Sequence, residues 1–134
     1  MVRQPTQLPS EAASWTDDER ERASQLLDGH ATVVNVRKQG PHRHLVPWLQ
    51  RQGLLTYVGH SGPRHSWAAS EFASPFVGEA KSDREAMVRH YEQWLDQQPD
   101  LVRRLREGEL SGRALGCWCA PKTCHADVLA HRAD

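Results

Sequence analysis

Residues 113–129 read Arg113-Ala114-Leu115-Gly116-Cys117-Trp118-Cys119-Ala120-Pro121-Lys122-Thr123-Cys124-His125-Ala126-Asp127-Val128-Leu129. Arg113 to Trp118 is predicted as a strand, entered through the turn Ser111-Gly112. Ala120 to Thr123 turns the chain, and a helix starts near Cys124, carrying Val128 and Leu129 inward. All three cysteines of the chain lie in this unit, with His125 directly after the last. If the strand runs on to Cys119, Cys117 and Cys119 share a face. Cys124 and His125 fall in the first helical turn, where free backbone N–H groups favour an anion or a thiolate. Ligands of open α/β sheets bind at such strand ends.

Working outward, strands alternate with helices. Thr16-Asp17-Asp18-Glu19 is a capping box that opens a helix to about Leu27, stopped at Gly29. Thr32-Val33-Val34-Asn35-Val36 is β-branched and reads as a strand, with Arg37 at its end. A short helix over Pro47 to Gln52 leads to a second strand, Leu54 to Val58, ending at Gly59-His60. Ser61 to Ala80 is a long irregular stretch holding Trp67, Phe72 and Phe76. Ser82-Asp83-Arg84-Glu85 is a second capping box, after which Met87, Tyr91, Trp94 and Leu95 share a helical face. Pro99 starts a further helix, with Leu101, Val102 and Leu105 inward. The fold class expected is α/β: a small, Rossmann-like three-layer domain with a short, mostly parallel sheet. Residues 1–14, rich in Pro, Gln, Ser and Ala, are expected to be a flexible lead-in to a single domain over 15–134.

The chain has 134 residues and a formal net charge of zero, but the charge is unevenly placed. No Asp or Glu occurs from His30 to Ser70, a stretch that holds Arg37, Lys38, Arg43, Arg51 and Arg64. One face should therefore attract an anion: an anionic small molecule, a nucleotide or a nucleic-acid backbone. No apolar run approaches membrane-spanning length, and the N-terminus has no apolar secretory core, so no membrane partner is expected. An odd number of cysteines without such a signal points to a reducing, cytoplasmic setting.

Three chemistries suit the cysteine loop. Cys117, Cys119 and Cys124, with His125 as fourth ligand, would bind zinc as a Cys₃His set, although a C-x-C spacing is tighter than the common knuckle. Alternatively, Cys124 is a nucleophilic or redox thiol, with Cys119 as its resolving partner. Or the cysteines are small buried hydrophobes. Around them, Arg37 is placed to grip a phosphate, and His60 to act as a base, a ligand or a phosphate donor. The turn Ser74-Pro75-Phe76-Val77-Gly78 would let backbone approach a ligand, so Ser74, Phe76 and Gly78 are substrate-binding candidates. Trp67, Phe72 and Phe76 are either a base-stacking wall or core. His42 and His44 read as solvated, and Asp127 as a helix-start acid.

The segment Leu115-Gly116-Cys117-Trp118-Cys119 followed by Cys124-His125-Ala126-Asp127-Val128-Leu129 resembles the signature of a bacterial and phage family known only as a domain of unknown function, number 4326. Tyr57-Val58-Gly59-His60, Ser74-Pro75-Phe76 with Gly78, and Tyr91 match its weaker motifs, so the resemblance covers about residues 32–130. His60 stands where that family usually has Arg, and Ser74 where it has Asn. A more distant similarity, through Val34-Asn35-Val36-Arg37 and Val58-Gly59-His60-Ser61, is to another uncharacterised family. These resemblances imply a fold and a site without supplying a reaction. From the residues, the leading expectation is a small enzyme, a hydrolase or transferase on a phosphate-bearing substrate. Its catalytic groups would be Cys124, His125 and His60. The alternative is a zinc-stabilised module that binds nucleic acid or protein without catalysis.

Overall fold

A computed structural model of the chain describes residues 6–76 and 83–134. Three parallel strands form one sheet: β1 (Thr32–Asn35), β2 (Leu55–Tyr57) and β3 (Ala114–Cys117), in the order β1-β3-β2. The last strand is thus the central one. Thr32 pairs with Ala114 and Asn35 with Cys117 on one side, and Leu55 with Ala114 and Tyr57 with Gly116 on the other. Ladder hydrogen bonds run on to Val36 and Val58, whose N–H groups reach Cys117 O at 2.9 Å and Gly116 O at 3.0 Å. All four residues of β3 are buried, as a strand covered on both faces must be. Gly116 lets the strands close up: a Cβ there would stand 2.7 Å from Val36 Cγ1.

Alternate residues of each strand enter opposite cores, which makes three layers. On one face Val34 and Ala114 pack against Leu26 of α1 (Asp17–Leu27) and Leu45, Trp48 and Leu49 of α2 (Leu45–Gln52). On the other, Val33 and Leu115 meet Tyr91 and Leu95 of α3 (Arg84–Asp96), Leu101 and Leu105 of α4 (Pro99–Arg106), and Leu129 of α5 (His125–Ala133). The expected α/β class therefore holds, as a small domain around a wholly parallel sheet.

Helix ends follow their sequence signals. Thr16 Oγ1 accepts from Glu19 N at 3.1 Å, and Glu19 Oε1 from Thr16 N at 3.0 Å, which is the expected capping box. Gly53 ends α2 in the left-handed region (φ 68°). Ser82 lies outside the described residues; Asp83 caps α3 by accepting from Ala86 N at 3.0 Å. The later part of the lead-in, within the described residues, is structured. Ser10–Ser14 form a 3₁₀ helix, with Ala12 and Trp15 buried and Leu8 packed against the α1/α2 core. The Trp15 ring meets Trp48 edge-on at 5.5 Å, so an apolar contact outweighs the polar composition.

Candidate functional site: a thiol cluster at the strand ends

The C-terminal ends of β3 and β2 open into a cavity of about 250 Å³. Its deep side is lined by Cys117, Cys119, Cys124 and His125, and its exposed rim by His60. Tyr57, His65, Trp118, Ser74 and Met87 form the walls.

The thiols converge because strand, turn and helix return the chain on itself. Cys117 ends β3 and Cys124 precedes α5; their Sγ atoms are 3.5 Å apart. Asn35, at the end of β1, ties the intervening loop down. Its Nδ2 donates to Ala120 O at 2.8 Å and Trp118 O at 3.2 Å, while its Oδ1 accepts from Arg37 N at 2.9 Å. Arg84 holds the far end, donating to Thr123 O at 3.2 Å. Cys124 N donates to Asp127 Oδ2 at 2.8 Å, so the helix-start acid caps its own helix.

Electrostatics divide the three sulfurs. Cys124 donates its S–H within the trio, with Cys117 Sγ at 3.5 Å. That donation, with the Arg84 guanidinium beside it, lowers the Cys119 thiol to about 6 against the effect of burial. The same donation to Cys117 and Cys119, with burial added, pushes Cys124 far up. Placement at the helix N-terminus was expected to make Cys124 the acidic thiol. In the structure Cys124 is wholly buried, whereas Cys119 is half-exposed beyond the end of β3 and has its thiol held low. All three cysteines are free, so none forms a disulfide.

His125 turns away from sulfur. Its Nε2–H donates to Val58 O at 2.7 Å, and its ring meets Tyr91 edge-on at 5.1 Å. Burial lowers its pKa and keeps it neutral. Among the described residues no group of three or more His, Cys, Asp or Glu is arranged to hold a metal ion. The donors nearest to such a set are the three thiols, and the Nε2 of His125 is already engaged.

The other sequence-derived candidates separate. His60 lines the cavity and donates Nε2–H to the carbonyl of Ser74, whose own hydroxyl accepts from Phe76 N at 3.1 Å. Phe76 is half-buried against the core, and Gly78 lies outside the described residues. Arg37 is exposed and lines a different recess, with Lys38, Arg43 and Trp67. Phe72 is core, under the guanidinium of Arg104 at 4.8 Å. Of the two histidines read as solvated, His42 is not, while the His44 side chain is 38% exposed. His42 is wholly buried between Asn35 N (2.7 Å) and Asp18 Oδ2 (2.7 Å), and His44 Nδ1 lies 3.0 Å from Glu19. Sequence reasoning missed Arg84, Tyr57 and Trp118. Trp118 Nε1 donates to Tyr57 Oη at 2.8 Å, and the one available signal was the position of Trp118 between two cysteines.

Fold and site together define a small parallel α/β domain carrying three free thiols at its strand ends. The family described as "Domain of unknown function (DUF4326)" matches residues 29–134, and the chain belongs to it. The chain is also similar to an uncharacterized 12.4 kDa protein encoded in the nrdA-td intergenic region of Enterobacteria phage T4. The two are 34% identical over 68 residues, a match that covers 45% of this chain and 57% of the phage protein's length. No solved structure matches. Among the described residues no helix is long and apolar enough to cross a membrane.

Proposed function

We propose that the protein is a thiol-dependent hydrolase or transferase acting on a phosphate-bearing substrate, a nucleotide or a nucleic-acid component. The observation that carries this reading is the convergence of three free thiols on one cavity at the carboxyl ends of parallel strands. Cys119 is the nucleophile: it is half-exposed, acidic, and backed by Arg84. Its sulfur would bond to the electrophilic atom of the substrate as the leaving group departs. His60 at the rim would release its Nε2–H from the Ser74 carbonyl to that group and be reprotonated from the attacking water or acceptor. Water or an acceptor molecule would then attack the thioester-like or thiophosphate-like intermediate and restore the thiolate. His125 and Cys124 are positioning residues, one holding the end of β2 and the other supplying the S–H that stabilises Cys119.

A second reading rests on the 3.5 Å separation of Cys117 and Cys124 Sγ. Thiols this close can bind zinc together with Cys119, giving a zinc-stabilised module that binds nucleic acid or protein. Incubation with pools of nucleotides and short oligonucleotides, followed by intact-mass analysis, tests the enzyme reading. Turnover or a one-to-one adduct on Cys119, absent in Cys119→Ala, is expected. About one zinc per chain on protein purified without chelator, with all thiols unreactive, would overturn it in favour of the module.

A further inference from the structure

The thiol cavity has a neighbour. Val36, the three cations that follow it, one face of α2 and the loop residues Ser66 and Trp67 enclose a second recess of about 250 Å³. Arg37, Lys38 and Arg43 line it, and no Asp or Glu does. Among the described residues none of the three has a carboxylate partner within salt-bridge distance; Arg43 reaches only Gly40 O, at 3.5 Å. Three exposed cations turned into one recess without a counter-charge make an anion site.

The recess and the cavity share a wall. Trp67 lines the recess and stacks on Tyr57, with centroids 5.2 Å apart and planes 26° apart; Tyr57 lines the thiol cavity. His65 and Trp118 continue the wall on the cavity side, 4.8 Å apart. A free phosphate would use the cations and leave the indole idle. An acidic peptide would likewise gain little from an aromatic face. A duplex keeps its bases stacked inside, and this concave surface offers no element to enter a groove. A single strand presents what both halves need, a phosphate and an open base face on each nucleotide.

We infer that the recess and the thiol cavity are two stations of one groove for single-stranded nucleic acid. A backbone phosphate sits among Arg37, Lys38 and Arg43, a base stacks at Trp67, and the adjoining nucleotide reaches the thiols. The last element rests on the proposal that the thiol cavity is the reacting site; the binding itself does not.

The experiment is fluorescence anisotropy with a labelled deoxythymidine oligomer of about twelve nucleotides, a length within the site sizes of single-strand binders. One phosphate neutralised by the three cations gives a log–log salt slope of about −0.7, so raising salt from about 50 to about 200 mM should weaken binding roughly threefold. Arg37→Ala/Lys38→Ala/Arg43→Ala should flatten the slope and abolish most binding, and the single reversal Arg37→Glu should weaken it in a chain changed at one exposed position. Trp67→Ala should cost roughly tenfold, the size of one base stack. Bound oligomer should also slow alkylation of Cys119. No binding, binding indifferent to the three cations, or equal competition by thymidine monophosphate or by duplex would overturn the inference. Loss of oligomer binding with Cys119 still reactive would sink the groove alone. Tight binding without turnover or adduct would sink the enzyme reading alone.

Discussion

Two clusters of buried polar side chains stand at the carboxyl ends of the same parallel strands, and they have opposite characters. Beside β1, the Glu19 carboxylate is wholly buried and closes two helices at once. It completes the cap of α1 and accepts from His44 N at 2.9 Å and Leu45 N at 2.8 Å, the first amides of α2. His42 is locked between Asn35 and Asp18. Because its Nδ1 accepts from a backbone N–H, the proton sits on Nε2 and the ring is neutral. Every donor in this cluster has an acceptor, and the cluster is closed. Beside β3 and β2, the three thiols, His125 and His60 face a cavity. Burial of polar groups is common to both places, and only the second leaves reactive atoms facing open space. A buried titratable residue marks a site when its surroundings leave something unfinished.

Breaking the closed cluster should have the largest effect on stability. Glu19→Ala strands three amides, one buried and two part-buried, and should cost about 4 kcal/mol, read as a fall in the denaturant midpoint. The alkylation pattern of whatever remains folded should be unchanged. Asn35 belongs to both regions, since its backbone N–H meets His42 and its side chain holds the cysteine loop. Asn35→Ala should cost about 2–3 kcal/mol and also shift the pH at which Cys119 alkylates. A stability loss with no change at Cys119 would show that the two regions are independent.

Acid should act next. Burial holds His42 and His125 below the ordinary imidazole value of 6.5. The unfolded chain therefore binds protons that the folded chain refuses. Their contribution is complete above about 6.5 and declines as pH falls below it. Glu19 adds a loss of the same sign at lower pH. Burial raises its pKa, but the hydrogen bonds from Thr16, His44 and Leu45 outweigh burial and hold it below 4.5. Denaturation midpoints between pH 8 and 5 should fall monotonically, and His42→Gln should flatten the upper part of that fall.

Local signals were readable along the chain: the Thr16–Glu19 box, the β-branched run at Thr32, Gly53 as a helix stop, and the strand–turn–helix around the cysteines. Each is decided within a few residues. Contacts over long separations were not readable. The second role of Glu19 depends on amides at positions 44 and 45, and the burial of His42 depends on Asp18 folding over it. Arg37 was assigned to the thiol site because both follow strands. The order β1-β3-β2 and the Tyr57–Trp67 stack instead put it in a separate recess. The surroundings of the thiols were equally hidden from the sequence. The helix N-terminus favours Cys124 in isolation, but its burial beside Cys117 and Cys119 and the guanidinium of Arg84, brought in from α3, favour Cys119.

The proposed chemistry depends most on Cys119 being the thiolate of the trio. Iodoacetamide alkylation followed across pH, with each cysteine resolved by peptide mass, tests it directly. Cys119 should react first, with a midpoint near pH 6, while Cys124 stays unmodified in the folded chain. Faster reaction at Cys124, or a Cys119 midpoint at the ordinary thiol value of about 8.5, would contradict it.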